Sequence, residues 1–547
     1  MDSTMMAMPL SVNGLIPRAA QLFAGQEIVS RLPDRTLRRH AYHDLLDRAQ
    51  ALAHALRGLG VQPGERVATL CWNHHAHLEC YLAIPLCGAV VHTLNLRLSA
   101  EEIGWIADDA DDAVLIVDNI LAPLYAQMPN KGRFRHVVWF DFDGAGHPGP
   151  LDYETLIAPH RGKPFEPAPH DENAAVMMCY TSGTTGRPKG VVYSHRSVML
   201  HSLVAALPDY LALRSADVIL PATPMFHAGC WGVPYAALMV GAKLVFPGPH
   251  LHAEDLLDLI RAEPPTVALG VPTIWLSILQ AIDRAPDRYA LPRGLRTMTG
   301  GSSPPPSLIR ALRDLGVSMM QAWGMTETSP ICTIAYVKSD RLGAPEEEQI
   351  RSLCLAGVPV PLVDLRLMGD DGPCPADGAS MGEVQVRGPF VTGPYYRRPR
   401  DPASHTDDGW LRTGDVAVME PGGYLKLVDR TKDLIKSGGE WISSVDLENA
   451  IMAHPAVAEA AVIAVPHPVW AERPVACVVV KPGRSVTPAQ LDEHLLGRFA
   501  KWQVPDRYEF LDALPRTSTG KFWKLRLREM YARTDTPPAP AQGTDPT

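Results

Sequence analysis

The segment at residues 180–190 reads Tyr-Thr-Ser-Gly-Thr-Thr-Gly-Arg-Pro-Lys-Gly and lies between two apolar, strand-like runs. Its glycines allow a tight turn with exposed backbone N–H groups, its hydroxyls are further hydrogen-bond donors, and its lysine adds a positive charge. Together these groups are suited to binding a polyphosphate. The residues that supply them are Thr181, Ser182, Gly183, Thr184, Thr185 and Lys189.

This segment differs from the common P-loop, in which Gly-x4-Gly-Lys is followed by Ser or Thr. Here the glycines are Gly183 and Gly186, and Lys189 is followed by Gly190. A P-loop kinase is therefore a poor alternative. A surface hairpin turn is the simplest structural alternative, but turn geometry alone does not require so many hydroxyls together with a lysine.

Length and composition limit the class of protein. A chain of 547 residues is too long for one core, so two or more domains are expected. With 46% hydrophobic and 20% charged residues, the composition is typical of soluble globular proteins. The net charge of −9 argues against nucleic acid as the main partner.

Several features predict a cytoplasmic protein. The nine cysteines are scattered and include no Cys-x-x-Cys pair, which fits a reducing compartment. Residues 1–10 lack the basic and apolar regions of a signal peptide, and no apolar run is long enough to span a membrane. A metal site is an alternative for the histidines at residues 74–77 near Cys71 and Cys80. The start of a helix is the better interpretation, because no second ligand pair follows at zinc-like spacing.

Apolar spacing predicts alternating helices and strands before and after the 180–190 loop, a pattern typical of a layered α/β domain. Residues 13–60 and 231–240 are predicted to be helical. Ser99, followed by Glu102 three residues later, predicts a capping box at the start of another helix. Strands are predicted at residues 66–70, 89–94, 113–117, 218–220, 243–246, 266–271 and 318–320.

The pattern changes twice in the second half of the chain. Short β segments rich in Gly and Pro begin near residue 350 and predict a small β-barrel or sheet. A new α/β pattern follows residues 429–433, and the chain beyond Arg533 lacks apolar periodicity. We therefore predict three parts: a large N-terminal domain (1–430), a smaller mobile α+β C-terminal domain (431–533) and a disordered tail (534–547).

Seven motifs in one order resemble the acyl-adenylate-forming enzymes, a family that includes acyl-CoA synthetases, amino-acid adenylation domains and firefly luciferase. The resemblance covers nearly the whole chain. It implies a two-step reaction, in which a carboxylate attacks the α-phosphorus of ATP, releasing pyrophosphate, and a thiol then displaces AMP from the acyl-adenylate. The motifs lie at residues 180–190, 224–227, 323–327, 382–389, 410–415, 429–442 and 515–521.

The resemblance implies that the 180–190 loop binds the β- and γ-phosphates. It also implies that Glu327 binds Mg²⁺, helped by Thr181 and Thr326. Lys521 would be the catalytic lysine of the first step, reaching the carboxylate and the α-phosphate.

The nucleoside part of ATP is assigned to other residues by the same resemblance. Asp415 would accept hydrogen bonds from both ribose hydroxyls, with Arg430 beside it. Trp323 occupies the position of an aromatic residue, commonly tyrosine, that lies against adenine. Further residues implied to line this pocket are Gly301, Ser302 and Gln321.

For the second step, the resemblance implies that the small domain rotates about a hinge at Lys432. The turn at residues 436–441 would then face the active site. Lys436 would help to neutralise the adenylate. Substrate contacts in this turn would come from Gly438, Gly439 and Trp441, the two glycines leaving room for a pantetheine arm.

The residues after Phe226 indicate which class of carboxylic acid is the substrate. Amino-acid adenylation domains place an aspartate there to pair with the substrate ammonium, whereas here Phe226 is followed by His-Ala-Gly. Residues 227–235 instead resemble the fatty-acyl-CoA synthetase branch, in which a tryptophan gates an apolar tunnel. Trp231 and Gly232 would therefore contact the acyl chain, and His227 would lie near its carboxylate. Ordinary core packing is the alternative for Trp231 and His227.

The resemblance thus predicts an ATP-dependent acyl-CoA synthetase for a medium- or long-chain fatty acid, using ATP, Mg²⁺ and CoA. One alternative is a CoA ligase for a short, sulfur-containing or aromatic acid. Two others are an acyl-AMP ligase that loads a carrier protein and a non-catalytic acyl- or nucleotide-binding protein. No carrier-protein domain follows Lys521, which favours free CoA. Because relatives are often homodimers, a homodimer is also expected.

Overall fold

The computed structural model describes residues 1, 3–167, 169–181, 187–437, 440–516 and 522–531. The chain divides into two compact units. The first unit comprises Met1–Thr413 and Val418–Lys426, and the second comprises Gly414–Ala417 and Leu427–Thr547.

One sheet of the first unit is parallel except at the edge that carries the 180–190 loop. Parallel neighbours require crossover connections, which are supplied here by helices such as His75–Leu86 and Ala100–Ala110. The edge strands Ala175–Tyr180 and Gly190–Ser194 pair antiparallel, so residues 181–189 connect a hairpin. The strand order is Leu151–Asp152, His136–Phe140, Asp112–Asp118, Arg66–Leu70, Val90–Thr93, Ala175–Tyr180, Gly190–Ser194.

The other large sheet of the first unit positions Glu327. The strand Ser318–Gly324 runs parallel to Arg296–Thr299 and antiparallel to Ile331–Ile334, and it leads into the 3-10 turn Thr326–Thr328. The carboxyl ends of parallel strands are where ligands bind in open α/β sheets. The strand order is Val358–Pro359, Ile331–Ile334, Ser318–Gly324, Arg296–Thr299, Val267–Leu269, Val218–Pro221, Lys243–Phe246, Glu27–Arg31, Leu37–Ala41.

Helices cover the faces of these sheets. Leu256, Trp275 and Leu308 come from three successive helices and are almost completely buried in one apolar cluster. Full burial of such a side chain stabilises the fold by about 1.5–3 kcal/mol. The α-helices of the first unit are Leu15–Leu22, Tyr42–Gly58, His75–Leu86, Ala100–Ala110, Ala122–Gln127, Tyr153–Ile157, His195–Ala205, Val233–Val240, Ala253–Ala262, Pro272–Arg284, Pro306–Asp314 and Glu346–Cys354.

All seven predicted strands are confirmed, with ends that shift by a few residues. The predicted capping box is also confirmed. The Ser99 hydroxyl accepts from the Glu102 N–H at 3.2 Å, and the Glu102 carboxylate accepts from the Ser99 N–H at 3.2 Å.

Two helix predictions are wrong in part. Within residues 13–60, Glu27–Arg31 and Leu37–Ala41 form an antiparallel hairpin. The second of these is a charged edge strand, a composition that protects a sheet edge and lacks a strand-like apolar alternation. The helix predicted at residues 231–240 begins only at Val233, because the preceding residues adopt left-handed backbone angles.

The β-rich segment from residue 350 contains short strands, as predicted. The strand Asp364–Gly369 pairs antiparallel with both Gly372–Pro373 and Gly382–Arg387. Two further strands, Leu411–Met419 and Leu425–Arg430, have residues in both units.

The second unit has its own sheet and core. Its helices Ser444–Met452 and Pro488–Leu496 bury Leu447 and Leu491 in an apolar cluster, and Lys524–Tyr531 is its last described helix. The strand order is Glu440–Ile442, Ile435–Ser437, Ala471–Val480, Val457–His467, and Arg507–Phe510 pairs with Ala471–Val480.

No helix in the described part of the chain combines the length and the apolar character needed to cross a bilayer.

Candidate active site

The two ends of the predicted phosphate loop are joined by hydrogen bonds. The Thr181 N–H donates to the Lys189 carbonyl at 3.0 Å, and the Lys189 N–H donates to Thr181 Oγ1 at 3.1 Å. These bonds extend the antiparallel pairing of Tyr180 with Gly190 by one step. The other predicted phosphate ligands lie outside the described residues, namely Ser182, Gly183, Thr184 and Thr185.

Glu327 lies in the turn that follows the strand Ser318–Gly324, and the residue is only 6% exposed. Its carboxylate Oε1 accepts a 2.7 Å hydrogen bond from the Tyr395 hydroxyl. The carbonyl of the neighbouring Thr326 accepts from the Tyr193 hydroxyl at 2.7 Å. Because Tyr193 belongs to the strand after the phosphate loop, this bond fixes the Glu327 turn against that strand.

Lys189 and Glu327 meet at one side chain, Tyr395. The Lys189 Nζ lies 4.7 Å from the centre of the Tyr395 ring, and the hydroxyl of the same ring donates to Glu327. A nearly buried carboxylate close to an ammonium fits an Mg²⁺–polyphosphate complex, since Mg²⁺ is bound through one or two carboxylates and substrate phosphates. Tyr395 was not predicted from the sequence, because the Tyr-Tyr pair in this segment has no periodicity or motif that marks it.

The predicted adenine-side residues surround the end of the strand Ser318–Gly324. Gly301 and Ser302 are exposed, whereas Gln321 and Trp323 are buried. The Gln321 amide nitrogen is oriented to donate to two backbone carbonyls at 2.9 and 3.1 Å, and its oxygen accepts from Ser303 Oγ at 3.1 Å. The Gln321 amide is thus engaged in hydrogen bonds within the protein. Of the four predicted adenine-side residues, Gly301 and Ser302 are exposed to solvent.

Trp231 and Gly232 lie in a left-handed turn, Ala228–Gly232. The φ angles of its five residues are 41°, 59°, 53°, 55° and 74°. This conformation costs roughly 1–2 kcal/mol for each residue that is not glycine. Strained backbone of this kind clusters at functional sites. The turn therefore supports a functional role for Trp231.

Two glycines allow close packing around this turn. A Cβ at Gly300 would lie 3.3 Å from the Trp231 ring, and a Cβ at Gly232 would lie 2.6 Å from His201 Nδ1. The Trp231 residue is 7% exposed, and the half-buried His227 begins the turn with its carbonyl accepting from the Cys230 N–H at 3.0 Å.

A small, mainly apolar cavity adjoins this turn. Its volume of about 10 Å³ is close to the room needed by one water molecule. An acyl chain of several methylene groups is larger than this space. The lining residues are Met177, Tyr193, Val198, His201, Ala228, Gly229, Gly232, Tyr235 and Ser329.

The predicted ribose residues are paired within the second unit. Arg430 Nε lies 2.6 Å from Asp415 Oδ1, and Asp415 is 5% exposed. The Thr431 N–H donates to the Gly414 carbonyl at 2.9 Å and holds the two segments together. Burial lowers the pKa of Lys432, and the nearby positive charge of Arg430 acts in the same direction.

The predicted pantetheine turn begins and ends in a short antiparallel pair. Lys436 lies opposite Trp441, with its Nζ 5.3 Å from the centre of the indole ring. Ser437 Oγ accepts from Arg473 at 3.0 Å, which ties the start of the turn to the central strand of this unit. Gly438 and Gly439 lie outside the described residues.

Lys521 also lies outside the described residues, but both flanks of its segment are described. Arg516 and Phe522 form a β-bridge, and Arg516 pairs with Glu459 at 2.5 Å. Lys524 Nζ lies 2.7 Å from Glu448 Oε1 and 2.5 Å from Ser444 Oγ.

Burial alone would lower the pKa of Lys524. The negative charges of Glu448, Asp429 and Asp433 outweigh that effect, and the pKa of Lys524 is raised.

The histidine segment considered as a metal site lies at the start of the helix His75–Leu86. Cys71, His74 and Asp118 are buried, with one ligand atom of each within 4.8 Å of the others. His74 Nε2 lies 2.9 Å from Asp118 Oδ1, and its Nδ1 accepts from the His77 N–H at the start of a helix. Both ring nitrogens of His74 therefore have partners within the protein, and the predicted helix start is confirmed.

Within the first unit, the structure brings Thr181, Lys189, Thr326 and Glu327 together, and it places Trp231 against Gly300. Within the second unit, it pairs Asp415 with Arg430.

Comparison with known proteins identifies the family of this chain. The AMP-binding enzyme family matches residues 17–396, and the AMP-binding enzyme C-terminal domain matches residues 446–521. The chain is 48% identical over 533 residues to a long-chain-fatty-acid–CoA ligase of Thermus thermophilus, covering 97% of each chain. It is 42% identical over 536 residues to a 3-methylmercaptopropionyl-CoA ligase of Ruegeria lacuscaerulensis, covering 96% of this chain and 98% of the relative.

A solved structure extends the comparison to the fold. It is the anthranilate CoA ligase AuaEII in complex with anthranoyl-AMP, which is 26% identical to this chain. The TM-score is 0.83, and the match covers 96% of this chain and 98% of that one. The two family matches and these full-length relatives show that the chain belongs to the AMP-binding enzyme family.

Proposed function

We propose that this chain is an AMP-forming acyl-CoA synthetase for a medium- or long-chain fatty acid. It would convert the acid and ATP to acyl-AMP and pyrophosphate, and then transfer the acyl group to CoA with release of AMP. The observation that carries the proposal is the 48% identity, over 97% of both chains, to a ligase named for long-chain fatty acids and CoA.

In the first step, a carboxylate oxygen bonds to the α-phosphorus while the bond from that phosphorus to the β-phosphate oxygen breaks. Lys189 and the loop at residues 181–185 would bind the departing pyrophosphate, and Glu327 would bind Mg²⁺. When bound, Mg²⁺ would offset the negative charge of the phosphates. Lys521 would offset the charge between the two reacting anions, and Asp415 with Arg430 would bind the ribose.

In the second step, the CoA sulfur bonds to the acyl carbon while the bond from that carbon to the AMP oxygen breaks. We assign residues 1–430 to ATP and acid binding and residues 431–533 to a mobile domain that turns about Lys432. Lys436 and Trp441 flank the turn that would accommodate pantetheine. Such a motion would separate the two chemical steps in time.

The acid specificity is assigned to the left-handed turn. Trp231 would close an apolar tunnel that begins near His227, and the small apolar cavity beside Gly232 is consistent with a closed state. A sulfur-containing acid is the second candidate, favoured by the 42% identity to a 3-methylmercaptopropionyl-CoA ligase. Aromatic acids are a third candidate, suggested by the anthranilate ligase structure.

We also propose that the protein acts in the cytoplasm as a homodimer and uses free CoA. The nine cysteines are free thiols, which supports a reducing compartment. The homodimer is proposed by analogy with relatives alone.

The test is a panel of acids incubated with ATP, Mg²⁺ and CoA. It should contain saturated fatty acids of graded length, 3-methylmercaptopropionate and an aromatic acid. We expect CoA-dependent AMP release to be greatest with a medium- or long-chain acid. Pyrophosphate release without any CoA dependence would instead indicate an acyl-AMP ligase. No pyrophosphate release with any acid would indicate a binding protein.

A further inference from the structure

Tyr395 contacts two groups to which the proposed function assigns separate tasks. Its hydroxyl donates to the Glu327 carboxylate at 2.7 Å, and its ring centre lies 4.7 Å from the Lys189 Nζ. Cation–π contacts within about 6 Å of a ring centre are attractive. One half-buried side chain is therefore in contact with the proposed metal ligand and with the proposed phosphate ligand.

Tyr395 is fixed in place by the segment to which it belongs. The Thr392 N–H donates to the Glu327 carbonyl at 2.7 Å, and the Tyr396 N–H donates to the Gly190 carbonyl at 2.9 Å. The segment is thus hydrogen-bonded to the Glu327 turn and to the strand that follows the phosphate loop. These bonds place the Tyr395 ring independently of its own hydroxyl.

The phenol remains a hydrogen-bond donor at physiological pH. Tyrosine has an ordinary pKa of about 10, so its hydroxyl keeps its proton at this pH. A neutral phenol can donate to a carboxylate, and hydrogen bonds to charged groups contribute about 1.5–3 kcal/mol.

We propose that Tyr395 is a positioning residue for nucleotide binding, with its hydroxyl orienting Glu327 and its ring orienting Lys189. The inference rests on the proposed function. Tyr395 contacts the Glu327 carboxylate through its hydroxyl and the Lys189 ammonium through its ring, so one uncharged side chain orients both groups.

Two substitutions separate the two contacts. Tyr395→Phe keeps the ring beside Lys189 and removes the donor to Glu327, whereas Tyr395→Leu removes both. The matched control is Tyr396→Phe, because the Tyr396 hydroxyl is directed to the Ala110 carbonyl at 3.4 Å.

Binding of α,β-methylene-ATP, which cannot release pyrophosphate, is measured by calorimetry with and without MgCl₂. We expect Tyr395→Phe to weaken binding roughly tenfold with Mg²⁺ and little without it. Tyr395→Leu should weaken binding under both conditions, and Tyr396→Phe under neither. Thioester formation from pre-made acyl-AMP should be unchanged in Tyr395→Phe, since that step does not use the pyrophosphate site.

The inference would be overturned if, with Mg²⁺, Tyr395→Phe bound the nucleotide as tightly as the wild-type chain. It would also be overturned if Tyr396→Phe lost as much nucleotide affinity as Tyr395→Phe. Either result, obtained with a wild-type chain that forms acyl-CoA, would leave the proposed function intact. A wild-type chain that does not bind the nucleotide would overturn both. Thermal unfolding of each variant detects misfolding, and Tyr395→Phe tests the hydroxyl even if Tyr395→Leu does not fold.

Discussion

The base of the phosphate loop and the flanks of the Lys521 segment are stabilised by different interactions. At the phosphate loop, Thr181 and Lys189 are joined by hydrogen bonds in which each donor is a backbone N–H. Beside the Lys521 segment, Arg516 pairs with Glu459, and Lys524 pairs with the nearly buried Glu448. Backbone pairing joins the flanks of both segments, and the second site adds ion pairs between side chains.

This difference determines how each site responds to substitution. A single neutral hydrogen bond contributes about 0.5–1.5 kcal/mol. Removal of one partner from a buried ion pair costs about 3–5 kcal/mol, because the remaining charge stays buried without compensation. Side-chain changes near Lys521 should therefore be far more damaging than side-chain changes at the loop base.

The largest effect is expected for Lys524→Met. It leaves Glu448 and Asp429 without their ammonium partner, so the second unit should lose about 3–5 kcal/mol of unfolding free energy. The measurement is the urea concentration at which Cys477, buried in this unit, reacts with a thiol reagent.

Lys481→Met is the matched control for this substitution, because Lys481 is an exposed lysine of the same unit. Similar losses in both variants would refute the ion-pair explanation.

Lys521→Ala should lower the rate of acyl-AMP formation by about 10²–10³-fold, the scale of a lost group that stabilises transition-state charge. Thioester formation from pre-made acyl-AMP should fall much less. Single-turnover measurements of the two half-reactions test this, with the exposed Lys501→Ala as control. An equal loss in both half-reactions would show that Lys521 does not act mainly in the first step.

Acidification should destabilise the first unit. Burial lowers the pKa of His77 and His201 to about 3, and that of His195 to about 4. Unfolded histidine accepts a proton below about pH 6.5. Between pH 6.5 and 4 the unfolded chain therefore binds more protons than the folded one. Each histidine should remove about 3 kcal/mol of unfolding free energy by pH 4.

The buried acids of the second unit act in the opposite direction. Burial raises the pKa of Glu448 and Asp429, so the folded unit accepts these protons more readily than the unfolded chain. Dithiodipyridine labelling in urea at pH 7, 5.5 and 4.5 should show earlier exposure of Cys71 and Cys80 at low pH, and a smaller change for Cys477. A parallel change at all three cysteines would contradict this distinction.

The smallest effect is expected for Thr181→Val, which removes the hydroxyl that accepts from the Lys189 N–H. A loss of about 1 kcal/mol corresponds to roughly fivefold weaker ATP binding. Thr181→Ser keeps the acceptor and serves as the control in the same calorimetric titration. A loss above about 100-fold would show that the Thr181 hydroxyl contributes much more than a hydrogen bond at the loop base.

Local sequence patterns predicted the parts of the fold that depend on local interactions. The Ser99 capping box and the strands were visible because their residues act on neighbours a few positions away. The hairpin Glu27–Ala41 was missed, because its second strand, Leu37–Ala41, is charged and occupies a sheet edge. Glu27–Arg31 joins the sheet through its long-range pairing with Lys243–Phe246, and Leu37–Ala41 is added beside it as the edge strand. Local sequence patterns do not reveal this long-range pairing.

The same limit applies to the candidate site, where local motifs are visible in the sequence and long-range contacts are not. The motifs named Lys189 and Glu327 separately, but Tyr395 joins them across 206 and 68 positions of sequence. The left-handed turn was also hidden, because Ala228, Cys230 and Trp231 are not residue types that favour positive φ. Contacts and backbone angles set by tertiary structure leave no periodic signal.

The left-handed turn also has a consequence for how this chain tolerates random substitution. At most positions a random change lowers stability. At Cys230 and Trp231, a change to glycine would relieve positive-φ strain and offset part of the lost packing. Selection for thermal stability alone would thus oppose glycine less strongly at these two positions than elsewhere in the core. Under the proposed role of Trp231 in acyl binding, selection for acyl turnover would keep a tryptophan at a position where selection for stability alone opposes glycine less strongly.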